Sequence, residues 1–179
     1  NPWDTRMNAG GSSGGAAVSL ATGEVWLSQG SDLAGSLRTP AAYCGVVGMR
    51  PSPGRAFGGP MLMGFSAEGI AGPMARSVGD CALFLDAMCG YDDRAPLSLP
   101  APDEPFQVAV DRADPHIRIA YAPTLDGFAP VEAEIEQIMR GSLESMQAQG
   151  ATVEEACPSM DGLLDSYITL RAMNWAALA

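Results

Sequence analysis

Lysine is missing from this sequence altogether: all ten basic residues among its 179 are arginine. A guanidinium stays protonated in proteins, so these residues offer no side-chain amine to act as a base. The one histidine, His116, follows Pro115 at the edge of a stretch with strand character and reads as a surface residue. No apolar run approaches the ~18 residues that a membrane span needs. The opening Asn1-Pro2-Trp3-Asp4 has no signal-peptide character. Cys44, Cys81, Cys89 and Cys157 form no CxxC pair and no Cys/His cluster, which argues against structural zinc. Cys81 and Cys89 fall on an expected helix ~12 Å apart at 1.5 Å per residue, too far for a disulfide. A reducing cytoplasm is the expected location.

Charge is scarce and one-sided. Charged residues make up 17%, and 10 basic against 21 acidic side chains leave a net −11. Residues 91–179 carry −10 of that excess, so this half repels phosphate backbones and direct nucleic-acid binding is not expected. What the sequence does have is apolar content, 47%, with mean hydropathy +0.06, the profile of a packed globular protein. Glycine and proline, 21 and 14, concentrate between Gly10 and Pro73. That stretch is expected to be rich in loops whose shape the backbone controls.

Strands alternating with helices argue an α/β class. Small residues from Gly14 to Ala21 predict a short, tightly packed helix. Val25-Trp26-Leu27 has strand character ahead of a turn-rich Gln29-Gly30-Ser31-Asp32, and Pro40 to Val47 suits a short helix before a turn-rich exit. Ser77 is placed as an N-cap with Asp80 in the capping-box position, opening a helix that closes at Gly90. Residues 92–115, rich in Pro and Asp, read as a surface connection. A strand over Ile117–Ala122 leads to a helix from Pro130 to Gly150, whose Val131, Ile135, Ile138, Leu143 and Met146 form one apolar face. A strand at Thr152-Val153-Glu154 and a helix from about Met160 complete the pattern. The ten methionines are expected as core filler and Cys44 as a packed thiol. The last helix still runs at Ala179 and the first residues abut a glycine-rich motif, so the chain is expected to be an internal piece of a longer protein.

The chemistry lies in Gly10-Gly11-Ser12-Ser13-Gly14-Gly15 and in Gly30-Ser31-Asp32-Leu33-Ala34-Gly35-Ser36-Leu37-Arg38-Thr39-Pro40. Alone, the first block reads as a flexible linker or as an anion nest at a helix N-terminus. The apolar, helix-compatible residues after it disfavour the linker. In the second block a hydroxyl follows two small residues, so backbone N–H groups there can approach a bound carbonyl unobstructed. Asp32 and Arg38 bracket that hydroxyl and are placed to tie the loop's ends together.

These two loops, followed by Pro40-Ala41-Ala42-Tyr43-Cys44-Gly45-Val46-Val47-Gly48-Met49-Arg50-Pro51-Ser52, resemble the amidase signature family. The match runs from Asn1 through Arg55 and resumes at Gly72-Pro73-Met74-Ala75-Arg76-Ser77-Val78. The resemblance implies a mixed β-sheet core covered by helices on both faces, present in part: a signature core over 1–90 and a more variable acidic part over 91–179. It also implies a Ser–cis-Ser–Lys hydrolase. Ser36 then corresponds to the nucleophile and Ser12 to the bridging serine, with a cis bond between Gly11 and Ser12. The N–H groups of Leu33, Ala34, Gly35 and Ser36 correspond to the oxyanion hole. Asp32 and Arg38 would support the loop from behind, and Ser13 would be a local hydrogen-bonding partner.

Two departures stand out. Ala34 replaces a family glycine, which the hole tolerates if Ala34 keeps a negative φ. The family's Lys lies upstream of the glycine loop and is not among these residues. By resemblance the expected reaction is hydrolysis of a carboxamide to acid and ammonia or amine, with no cofactor and no metal. The expected partner is a small amide, not a membrane, and a homodimer is left open. The amidase-like component of a tRNA-dependent amidotransferase is the second reading, but Thr39 and Ala67-Glu68-Gly69 stand where that component usually has Gln and Leu-Asp-Gln. A non-catalytic amidase-like scaffold is the third. The apolar 60–70 stretch is a candidate for lining the site.

Overall fold

The computed structural model describes residues 1–56, 59 and 64–178, which form two compact units, Asn1–Arg112 and Ala113–Ala179. The first unit contains α1 (Gly14–Ala21), β1 (Leu27–Asp32), α2 (Arg38–Cys44), β2 (Val47–Gly48), β3 (Ile70–Ala75), α3 (Val78–Met88) and α4 (Phe106–Asp111). Its three strands pair antiparallel in the order β1-β3-β2. Central β3 is the most buried strand, which is why Met74 is apolar and fully enclosed. Ala17, Leu20, Leu37, Ala41 and Cys44 join Met74 in one core cluster, so the two helices after the serine loops are held against the sheet.

The strand at the second serine loop lies further along than the sequence suggests. Val25 and Trp26 precede it, Trp26 being 82% exposed, and Gln29 to Asp32 are strand instead of turn. The reason is the partner. Gly30 pairs with Gly72, and both positions need to lack a Cβ. A Cβ on Gly30 would stand 2.5 Å from Ser13 Oγ and 2.7 Å from Leu37 Cδ2. Residues that look like turn formers are there because Leu37 and Ser13 pack onto the strand at that point.

Ser77 caps α3 as expected, its hydroxyl accepting from the Asp80 N–H at 3.1 Å. Asp80 is too short to complete the reciprocal box and accepts from the Ser77 hydroxyl at 2.7 Å instead. The 92–115 segment is not wholly a connection. It contains α4, whose first N–H groups, Phe106 and Gln107, donate to the Asp86 carboxylate at 2.7 and 3.2 Å. An acid on α3 thus satisfies the N-terminus of a helix 20 residues away.

The second unit contains β4 (Arg118–Tyr121), α5 (Ala133–Ala148), β5 (Thr152–Glu155) and α6 (Leu163–Leu178). β4 and β5 pair in parallel with Arg118 opposite Thr152, so α5 is the crossover of a βαβ unit. The stripe on α5 does not enter a core: Ile135, Ile138 and Met146 are 50%, 59% and 47% exposed. The methionine expectation fails similarly. Met74 alone is buried among the described methionines, and Met7, Met49, Met139 and Met173 lie exposed at loops and helix surfaces. His116 is exposed, its Nδ1 2.9 Å from Asp114. No helix among the described residues is long and apolar enough to cross a membrane.

Candidate active site

β1 ends at Asp32, and the chain then turns through Leu33–Leu37 into α2. Asp32 is fully buried. Its Oδ1 accepts from the Gly35 N–H at 2.8 Å and its Oδ2 from the Leu37 N–H at 3.2 Å. An Asp at a loop start bonds the backbone ahead of it in this way and folds the loop around its own carboxylate. Arg38 closes the same carboxylate with a two-pronged pair, Nε to Oδ2 at 2.9 Å and Nη2 to Oδ1 at 3.0 Å. Burial alone would raise the Asp32 pKa. The Arg38 guanidinium and the two N–H groups outweigh it and hold the carboxyl well below the ordinary range, so it stays ionised. A buried charge persists only when paired and bonded like this.

The loop needs glycine at Gly35, where φ is +100° and a Cβ would lie 2.8 Å from Thr39 Oγ1. Ala34 does not adopt positive φ, so the alanine that departs from the family pattern fits its place. The Gly35 N–H is committed to Asp32. The N–H groups of Leu33, Ala34 and Ser36 have no backbone acceptor among the described residues. Of the four donors named from the sequence, Gly35 is the one with a hydrogen-bond acceptor among the described residues.

The first serine loop meets the second through the backbone. The Ser13 N–H donates to the Ser36 carbonyl at 3.2 Å. Ser13 Oγ donates to the Ser31 carbonyl and accepts from the Ser31 N–H, both at 3.3 Å. Ser13 is therefore a structural link between α1 and β1. The Gly11–Ser12 peptide is cis. Ser12 is exposed and Ser36 half-buried, and no hydrogen bond joins their hydroxyls among the described residues.

A cleft of about 770 Å³ opens beside these loops. Its lining includes Ser12, Ser13 and Ser31 together with Gly64, Ser66 and Ile70. Ser36, Leu33, Ala34 and Gly35 lie off its lining. Within the 60–70 stretch singled out from the sequence, Pro60–Met63 fall outside the described residues and Phe65, 81% exposed, is not part of the lining. A further wall is Ala95-Pro96-Leu97-Ser98, which the sequence presents as surface connection. Leu99 N–H to Gly54 O at 2.9 Å anchors it, together with Ser98 Oγ accepting from Asp92 N–H at 2.8 Å. Gly54, at φ +79° against the Leu97 carbonyl, is the sequence trace of that packing. Arg50 was also missed as a site residue, although it stands within the Met-Arg-Pro-Ser motif. It bonds the Asp32 carbonyl and, at 2.9 Å, that of Glu68.

A serine-bearing loop folded on the buried Asp32 carboxylate, beside a second serine on a cis peptide, is the arrangement the amidase signature leads one to expect. The chain belongs to this family: the family described as Amidase matches residues 1–178. It is 41% identical over 99% of its length to a protein of Synechocystis sp. named "Putative amidase", covering 34% of that relative. It is 38% identical over 93% of its length to the A component of the glutamyl-tRNA(Gln) amidotransferase of Moorella thermoacetica, again covering 34%. In structure it is similar to a bacterial aryl acylamidase of the amidase signature family, with TM-score 0.86 and 30% identity over 99% of this chain and 37% of that one. The chain thus spans about a third of the length of the curated relatives it matches.

Proposed function

We propose that these residues form the serine-bearing core of an amidase that hydrolyses a carboxamide C–N bond through a Ser36 acyl-enzyme. The observation that carries this reading is the Asp32 clamp, which shapes the loop so that Ser36 follows N–H groups left without a backbone acceptor. In the reaction Ser36 Oγ attacks the amide carbonyl, its proton passes to Ser12, and Ser12 passes its own to an amine base. The N–H groups of Leu33, Ala34 and Ser36 receive the developing oxyanion, each such donor contributing ~3 kcal/mol. The relay then returns a proton to the amide nitrogen, so that ammonia or an amine leaves, and water gives a proton to the same relay as it attacks the acyl-enzyme, releasing the acid and restoring the Ser36 hydroxyl. The base is a lysine supplied from outside these 179 residues, since none lies within them.

The test is made on the full-length protein. Ser36→Ala abolishes both amide hydrolysis and labelling by a serine-directed phosphonate. Ser12→Ala loses most of the rate, about 10²–10⁴-fold for a general-base step, and keeps some labelling because it relays protons without being acylated. Adducts mapping to Ser13 or Cys44 would refute the assignment. The amidotransferase reading draws support from the relative in Moorella thermoacetica. Thr39 and Ala67-Glu68-Gly69 weigh against it. Ammonia release that occurs only with glutamine and charged tRNA would favour it.

A further inference from the structure

We infer that Arg50 is a positioning residue that couples the nucleophile loop to the wall of the cleft; this rests on the amidase reading above. Arg50 follows β2, and its side chain is only 25% exposed. Its guanidinium touches two separate parts of the site. On one side Nη1 bonds the Asp32 carbonyl and lies 3.4 Å from Oδ1. On the other, Nη1 donates to the Glu68 carbonyl at 2.9 Å and Nη2 to the Ala67 carbonyl at 3.2 Å.

Each contact has a different consequence. Asp32 holds the Ser36 loop through Gly35 and Leu37. Ala67 and Glu68 lie between Ser66 and Gly69, which line the cleft. The planar fork therefore fixes the distance between the loop that attacks and the wall against which a substrate rests. Arg38, by comparison, is 58% exposed, and among the described residues its side chain bonds only the carboxylate. Loss of Arg38 loosens the nucleophile loop alone, whereas loss of Arg50 also frees the wall. A lysine at position 50 restores the charge but brings a single nitrogen, which cannot serve the Asp32 and Glu68 carbonyls that Nη1 bonds together with the Ala67 carbonyl that Nη2 bonds.

The experiment compares Arg50→Lys, Arg50→Ala and Arg38→Lys in the full-length protein, using anilides of increasing acyl length and the phosphonate labelling rate. The expected result is a split. Arg50→Lys labels at Ser36 within about threefold of wild type, yet its KM rises about tenfold for long acyl groups and little for acetanilide. Arg38→Lys lowers kcat evenly across the series. Arg50→Ala loses labelling as well, and added guanidinium ion restores part of it. Should Arg50→Ala fail to fold, the length dependence in Arg50→Lys decides alone. A folded Arg50→Lys with unchanged KM across the series, or with a loss independent of length, overturns the inference. Failure of the amidase reading looks different: the wild-type protein would then turn over none of the anilides, or Ser36→Ala would remain active in the same assay.

Discussion

Asp32 is the residue on which the loop turns, and its charge state gives a measurable signature. Its folded pKa lies below the ordinary 3.8, held there by Arg38 and the Gly35 and Leu37 N–H groups against the opposing effect of burial. The stabilisation from this carboxylate is therefore complete above that ordinary value and is lost as pH falls from it toward the folded one. Asp32→Asn is expected to cost about 3 kcal/mol at neutral pH, as when a buried pair loses one partner. Denaturant unfolding of both proteins should show a constant difference between about pH 7 and pH 5 that narrows below about pH 4. A difference unchanged down to the acid limit would mean that the carboxylate is not the stabilising group. The Asp32–Arg38 pair was legible because the two charges stand six positions apart, one at each end of the Leu33–Leu37 loop. Arg50 was not, because most of its acceptors are backbone carbonyls, and a sequence shows charges but not where carbonyls gather.

At the scale of elements, polar residues reached further than local pattern reveals. Ser77 was readable as a cap because its target lies three residues on. Asp86 was not, since it caps α4 across 20 residues of chain. Asp86→Ala should raise hydrogen exchange at the Phe106 and Gln107 amides about tenfold or more, the loss of charge-assisted bonds of ~1.5–3 kcal/mol, while α3 keeps its protection. Equal exchange in the two proteins would show that α4 stands without its cap. The displaced β1 has a related cause. Gly30 and Ser31 carry turn chemistry by composition, and only the opposing Gly72 and the packing of Leu37 reveal them as strand.

For the whole molecule, the lysine-free composition sets an expectation for residues 1–179 expressed alone. A folded monomer of this chain should release no ammonia from aryl or aliphatic amides above background. Among the described residues no amine base stands next to Ser36: every basic residue is an arginine, which stays charged, and the exposed His116 is engaged by Asp114. Turnover comparable with the full-length protein, and lost in Ser36→Ala, would overturn this. The apolar face of α5 shows the limit of periodicity at this scale. The spacing of Ile135, Ile138 and Met146 correctly signals a helix, but periodicity states only that a face is apolar, not what it meets.

The burial of Asp32 also determines how the site responds to electrolyte. At 1 M salt the screening length shrinks to roughly 3 Å, and pairs standing in water lose most of their attraction. The exposed bonds of Arg140 to Glu136 and Glu155 belong to that kind, as does Arg118 to Glu154. Mobile ions cannot reach a carboxylate enclosed by its own loop. Brine would thus loosen the ion pairs of the acidic unit while damping the mutual repulsion of its surplus acids, and would leave the geometry around Ser36 as it is in dilute buffer.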